Sequence, residues 1–208
     1  MAGSDVKAKY IAADTDAADA DGVCQSQTPA AGGEQNLTIN GAQASGGVAS
    51  FTAARFITIT SSGADGGRTF TITGTDVNGN AQTETITGPA TTTVTGTLYF
   101  RTVTVVTVDN DTAGAITVGM ANNALDVVYA GRARLRSVFM VHSAAAGTLS
   151  FRNGSATGTA HLTIPTIASA DSDRDFIVPD EGIMFDEGIY LPYTAGTTVF
   201  SSFTAMYN

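Results

Sequence analysis

Three arginines at alternate positions, Arg132, Arg134 and Arg136 in "GRARLRSVFMVH", have a type and spacing suited to a chemical task. Side chains two apart on a strand share a face, so the guanidinium groups line one side while Leu135, Phe139 and Val141 take the other. They are three of ten basic residues in a chain with 19 Asp and Glu. Two readings stand: a solvated strand face, or a basic stripe that docks an acidic partner. A local stripe would orient an encounter that the net charge of −9 opposes at long range.

Other candidate chemistry falls short of its motif. Asp14, Asp16, Asp19 and Asp21 with Gly22 suggest a calcium loop, since Ca²⁺ takes several carboxylates from a tight turn. A loop begun to suit "DADG" would start at Ala17 and place Thr28 where the bidentate Glu belongs, so a solvated acidic segment fits better. His142 and His161 are the only histidines, and no motif gives either an activated Ser or Cys with an orienting acid. Asp180-Glu181 and Asp186-Glu187 resemble a glycosidase pair, but each sits beside a glycine in a repeated turn. "SGADGG" lacks the Lys-Ser/Thr ending of a phosphate loop. Cys24 is the single cysteine and has no partner for an internal disulfide. The expectation is a protein with no catalytic, metal or cofactor site, and not an enzyme.

The elements that carry these residues are strands. The chain has 208 residues, of which 43% are hydrophobic and 14% charged, with 23 Gly and no Trp. Threonine stands where a helical protein uses Glu, Lys or Leu, which favours an all-β class. In "TFTITGTDVNGNAQTETITG", residues 69 to 88, Phe70 and Ile72 alternate with threonines on both sides of an Asn-Gly turn. A three-residue loop Asn78-Gly79-Asn80, with Asn80 left-handed, would set Ile86 opposite Ile72. Strand-like runs recur from Leu37 to Val118, separated by "SSGADGG", "TGPA" and "DNDTAG". "GMANNALDVVYAGRA" interrupts the rhythm and marks a boundary near residues 120 to 131. "PDEGIMF" and "FDEGIYL" then repeat Asp-Glu-Gly-Ile as two strand starts turned by glycine.

Residues 1 to 34 show no sustained period and read as an extended or mobile arm, with Val6, Tyr10 and Ile11 able to dock it on a neighbour. The expected architecture is all-β: two small antiparallel β-sandwich domains, jelly-roll or Ig-like, over residues 35–120 and 131–208. The candidate interface is Arg132, Arg134 and Arg136 with Val6, Tyr10 and Ile11. No segment approaches the roughly 18 apolar residues of a membrane span, and clustered Lys and Arg for nucleic acid are lacking. The expectation is a soluble chain that binds neither.

Residues 62 to 119, "SGADGGRTFTITGTDVNGNAQTETITGPATTTVTGTLYFRTVTVVTVDNDTAGAITVG", resemble a segment common in virion structural proteins of tailed bacteriophages. The stretch "GTLSFRNGSATGTAHLTI" with the later "DFIVPDEGIMFDEGIYL" resembles the small β-sandwich modules of phage head and neck proteins. The resemblance implies a capsid decoration or cement protein, made in the bacterial cytoplasm and bound at the virion surface. Its implied partners are the major capsid protein and other copies of itself, as a dimer or trimer. A neck or tail component and a carbohydrate-binding β-module for host adsorption remain as alternatives.

Overall fold

The computed structural model describes residues 5 to 168 and 173 to 208. Its strands are β1 (Lys7–Ala12), β2 (Asp19–Gln27), β3 (Gln35–Asn36), β4 (Ala44–Ser45), β5 (Val48–Ser61) and β6 (Thr69–Thr75). β7 (Ala81–Thr87), β8 (Thr93–Val108), β9 (Ile116–Tyr129), β10 (Ala133–His142) and β11 (Gly147–Asn153) follow. The last are β12 (Ala160–Thr166), β13 (Asp173–Ile177), β14 (Ile183–Phe185), β15 (Ile189–Thr194) and β16 (Phe200–Tyr207). The protein is all-β: no helix occurs among the described residues, and the strands form antiparallel sheets of five and eleven strands.

The chain divides into a terminal unit, Met1–Asp16 with Leu125–Asn208, and a central unit, Ala17–Ala124. In the central unit β5 and β8 pair along most of their length, and the β6–β7 hairpin extends the sheet from β8. Its core gathers Phe70, Ile72 and Ile86 from the hairpin with Ile57, Ile59, Phe100, Val106 and Ile116. In the terminal unit the five-stranded sheet has the order β1-β16-β10-β13, with β14 also on β10. Its core joins Ile11, Leu135, Val138, Met140 and Phe203 from that sheet to Leu149, Phe151, Leu162, Ile164 and Leu191 from β11, β12 and β15.

The expected free arm is overturned from Asp5 onward; Met1 to Ser4 lie outside the described residues. β1 pairs with β16 over its whole length, and β2 pairs with β9. Ile11 is buried in the terminal core, and Val23 and Cys24 in the central one. Few apolar residues anchor these strands, and the small, polar residues between them hide the alternation. The division falls at Ala124 and Leu125, yet "GMANNALDVVY" does not interrupt the strand rhythm, because β9 runs through it.

The hairpin register also differs from expectation. Ile86 faces Phe70, and Ile72 faces Glu84. The loop does hold three residues, but they are Val77, Asn78 and Gly79: Asp76 N–H donates to the Asn80 carbonyl at 2.9 Å, closing the loop one position earlier. Gly79 takes the left-handed conformation, at φ 84°, which glycine adopts without a Cβ penalty. Asp76 decides the position, since its Oδ1 accepts the amides of Asn78 at 2.8 Å and Asn80 at 2.9 Å. A shift of two in the pairing sum leaves the faces unchanged, so Phe70, Ile72 and Ile86 point inward and the threonines outward.

The alternation along β10 inverts midway. Against β16, Leu135 pairs with Tyr207 and Ser137 with Met206, which leaves Arg136 as an extra residue in a bulge. Ala133 and Leu135 are buried before it, Val138, Met140 and His142 after it. Phe139, expected to share the face of Leu135, is therefore exposed, and Val141 lies on the same side as Phe139.

Candidate functional site

The arginine stripe opens β10, where the two Asp-Glu-Gly turns reach it. Gly182 sits at φ 80°, and a Cβ there would lie 2.5 Å from the Leu135 carbonyl, so glycine lets this turn close on β10. The turns deliver acids to the arginines: Arg132 Nε lies 3.4 Å from Asp186 Oδ1, and Arg134 Nη2 lies 3.3 Å from Glu181 Oε2. Both pairs are solvated, where an ion pair contributes about 0 to 1 kcal/mol. The stripe is thus a mixed-charge rim. Only the sequence repeat "DEG" could have signalled this, because the pairs span some fifty residues of chain.

Beside the rim lies an open cavity of about 320 Å³ lined by Asp5, Lys7, Tyr129, Arg132, Tyr207 and Asn208. The Tyr129 and Tyr207 rings stand 5.3 Å apart between centroids, tilted by 31°. Asn208 Oδ1 is buried with no hydrogen-bond partner among the described residues.

The outer face of the five-stranded sheet is the larger feature. Strand registers align it in three rows: Ala12–Ser202–Val141–Asp173, Tyr10–Thr204–Phe139–Asp175 and Ala8–Met206–Ser137–Ile177. Every one of these side chains is exposed or half-buried, and Tyr10 (64%), Phe139 (43%), Met206 (42%) and Ile177 (71%) are large apolar residues open to solvent. Charge appears only at Asp173 and Asp175, on the β13 edge. Val6, also exposed, precedes β1. Of the arm residues expected to dock a neighbour, Val6 and Tyr10 are exposed, but Ile11 is not available: it faces Phe203 inside the core, at 6% exposure. The sequence concealed this face because the bulge at Arg136 reverses which β10 residues look outward.

The opposite rows show why the sheet is rigid. Ile11, Phe203 and Met140 form one buried row, and Ala205 and Val138 another. Lys9 and Phe176 end the second row at its two edges.

The central unit presents the threonine surface. Thr73 and Thr83 hydroxyls lie 3.4 Å apart, Thr75 bonds Thr102 at 2.7 Å, and Thr60 bonds Thr93 at 2.7 Å. These cross-strand pairs keep an uncharged face wet while their methyl groups and restricted rotamers hold it stiff.

Other titratable side chains are held by structural partners. Tyr193 Oη donates to Asp126 Oδ2 at 2.8 Å and accepts the Asp14 amide at 3.1 Å. Burial, helped by the Asp126 carboxylate, pushes its phenol well above the usual range. His161 Nδ1 lies 2.7 Å from the Met184 carbonyl, and its ring packs 5.0 Å from that of Phe185. In the acidic segment Asp19 Oδ1 accepts the Asp21 amide at 3.1 Å, and the adjoining Asp19 carboxyl, by hydrogen bonding and then by charge, pushes Asp21 up. No group of three or more His, Cys, Asp or Glu suited to a metal ion occurs among the described residues.

No protein-family model, curated protein or solved structure matches this chain.

Proposed function

We propose that the chain is a virion structural protein of a tailed bacteriophage, a decoration or cement protein that binds the assembled head and ties neighbouring subunits together. The observation that carries this reading is the outer face of the β1-β16-β10-β13 sheet, whose exposed Tyr10, Phe139, Met206 and Ile177 stand on strands paired over a packed core. Exposed apolar area of this kind marks a protein contact. The resemblance of residues 62 to 119 and of the later strands to phage structural modules supports the same class. In this reading each unit is a β-sandwich, and the rim of Arg132, Arg134 and Arg136 meets the major capsid protein while the sheet face meets a lateral neighbour. No catalysis, cofactor, nucleic acid or membrane enters the role.

A second reading draws on the tyrosine pair. Two phenol rings beside Asp5, Arg132 and Asn208 combine an apolar platform with hydrogen-bonding groups, as a saccharide subsite requires. That arrangement favours the carbohydrate-binding module over a neck or tail component.

Imaging purified virions by electron cryomicroscopy, with copy number from mass spectrometry, tests the proposal. Many copies spread over the shell are expected. A few copies at one vertex would move the protein to the neck, and its absence from virions would overturn the reading.

A further inference from the structure

We infer that Asn78, at the tip of the β6–β7 hairpin, is a site of spontaneous covalent modification: its side-chain amide closes on the Gly79 nitrogen and is converted to aspartate and isoaspartate while the protein stays folded. The reaction needs no enzyme or partner, so it is independent of the role proposed above.

The sequence supplies three candidates, Asn40-Gly41, Asn78-Gly79 and Asn153-Gly154. Asparagine is among the chemically labile residues, and a following glycine has no Cβ to keep its nitrogen away from the side-chain amide. In an unfolded chain the three sites have the same local chemistry. The fold separates them.

Asn40 is held at both reacting groups by β2. Its Oδ1 accepts the Gln25 amide at 2.9 Å, and Gly41 N–H donates to the Val23 carbonyl at 2.9 Å. Gly41 is buried and packs so closely on Asp21 and Gly22 that no room is left for a Cβ. Asn153 is held in the same way by the turn before β15. Its Oδ1 accepts the Glu187 amide at 3.0 Å, and Gly154 N–H donates to the Gly188 carbonyl at 3.1 Å. At either site a segment distant in the chain must come away before the glycine nitrogen can reach the amide carbon.

Asn78 stands in a different setting. Asn78, Gly79 and Asn80 are all exposed. Gly79 N–H donates to the Asp76 carbonyl at 3.1 Å, and Asn78 N–H donates to Asp76 Oδ1 at 2.8 Å. Both acceptors belong to a single residue of the same loop, so rotation within the tip releases the two amides without parting β6 from β7 or β8. Openings of this kind lie at the low end of the range of local free energies, whereas parting paired strands lies toward the global value.

The chemistry closes without an oxidant or a second reactant other than water. The Gly79 nitrogen loses its proton to base and attacks Asn78 Cγ. The new N–Cγ bond forms, the Cγ–Nδ2 bond breaks, and Nδ2 leaves as ammonia, giving a five-membered succinimide. Water then opens the ring. Cleavage of the N–Cγ bond yields aspartate, and cleavage of the bond from nitrogen to the Asn78 main-chain carbonyl yields isoaspartate.

Either product places a carboxylate two residues from Asp76 and adds one negative charge to the net −9. Isoaspartate also routes the main chain through the former side-chain carbon. The added carbon lies between Asp76 and Gly79, inside the closure that sets Ile86 against Phe70 and Glu84 against Ile72.

Peptide mapping by mass spectrometry on the full chain, aged in warm, mildly alkaline buffer with and without guanidinium chloride, tests the inference. In denaturant the three sites should convert at comparable rates. In the folded chain Asn78 should stay within about tenfold of its unfolded rate, while Asn40 and Asn153 slow by more than about a hundredfold. Isoaspartate methyltransferase should label the Asn78 peptide of the aged native protein. Because Asn80 lies in the same peptide, Asn78→Gln assigns the product: the mass gain should vanish from that peptide, and its persistence would move the reaction to Asn80 and overturn the inference. Native conversion at Asn40 or Asn153 equal to or faster than at Asn78, or slowing of Asn78 as strong as theirs, would overturn it as well.

Discussion

Glu84 Oε1 accepts the backbone amide of Thr97 at 2.6 Å, and with it the Thr97 hydroxyl at 3.0 Å and the Leu98 amide at 3.3 Å. These amides belong to a bulge: on β5 the pairing moves from Phe56 to Thr58 while on β8 it moves from Tyr99 to Thr95. The extra β8 residues lose their ladder partners, and the carboxylate of β7 replaces them. It is itself buried, facing Ile72 across the hairpin.

Replacing Glu84 by Ala should therefore destabilise the protein by about 1 to 2 kcal/mol, since three part-buried hydrogen bonds lose their acceptor, and lower Tm by several degrees. Glu84→Gln keeps a carbonyl acceptor and should lose less. Amide exchange at Thr97 and Leu98 should accelerate in the Ala variant ahead of the rest of β8; unchanged protection there would remove the carboxylate from this role.

His142 gives the opposite case. Its side chain is fully buried on the core side of β10, and neither ring nitrogen has a hydrogen-bond partner among the described residues. An apolar residue of similar volume removes a polar group that holds no bond, so His142→Leu should leave stability unchanged or raise it by about 1 kcal/mol. The urea midpoint measures this, and a fall of more than about 1 kcal/mol would mean that the imidazole is bonded in solution.

Cys24 makes stability pH-dependent on the alkaline side. Burial pushes its thiol up from 9.0 to about 12. Below pH 9 the thiol is protonated in both states and contributes no slope. From pH 9 to about 12 the unfolded chain releases the proton and the folded one keeps it, so stability falls as pH rises, by about 1.4 kcal/mol per unit. Cys24→Ala should start lower at neutral pH, because it leaves a small cavity, and lose less stability between about pH 9 and 10.5 than the parent. Parallel loss in both proteins would show that the thiol does not set this limb.

Legibility in the sequence tracked the range of the interaction. Period-two alternation showed the all-β class and the inward set Phe70, Ile72 and Ile86, because a strand's two faces are written locally. The hairpin register failed by one loop position, since Asn80 and Gly79 both tolerate left-handed backbone and the deciding bonds came from Asp76. The arm was missed for a different reason. Ile11 and Val23 find their cores through β16 and β9, far along the chain, and a lone apolar residue among Ala, Asp and Lys carries no period. The β10 bulge is set by its partner strand and reverses the exposed set without any mark at Arg136.

Adjacent residues of β1 should separate stability from association. Ile11→Ala empties a core position against Phe203 and should destabilise the terminal unit by about 2 to 4 kcal/mol. Tyr10→Ser touches only the outer face and should change monomer stability by less than about 0.5 kcal/mol. Removing β1 altogether strips the ladder from one side of β16, so deletion of residues 1 to 12 should unfold the terminal unit. A deletion variant as stable as the full chain would show that β1 is dispensable.

The arginine rim makes the last prediction. Replacing Arg132, Arg134 and Arg136 together by Gln removes two solvated ion pairs, to Asp186 and Glu181, so folding stability should shift by no more than about 1 kcal/mol. The effect on docking is set by what those acids leave behind. Asp186 and Glu181 already offset part of the charge on Arg132 and Arg134, which in the proposed role limits the long-range attraction to an acidic partner surface, while Arg136 sits in the bulge with its stem over Gly182. Occupancy on undecorated particles should fall by up to about tenfold at low ionic strength, the effect of roughly one and a half kcal/mol. The difference should shrink as salt screens the rim. Arg136→Gln alone should account for most of it, because Arg132 and Arg134 must give up an internal partner to gain an external one. Equal occupancy of parent and triple variant at every salt concentration would return the rim to a solvated strand edge.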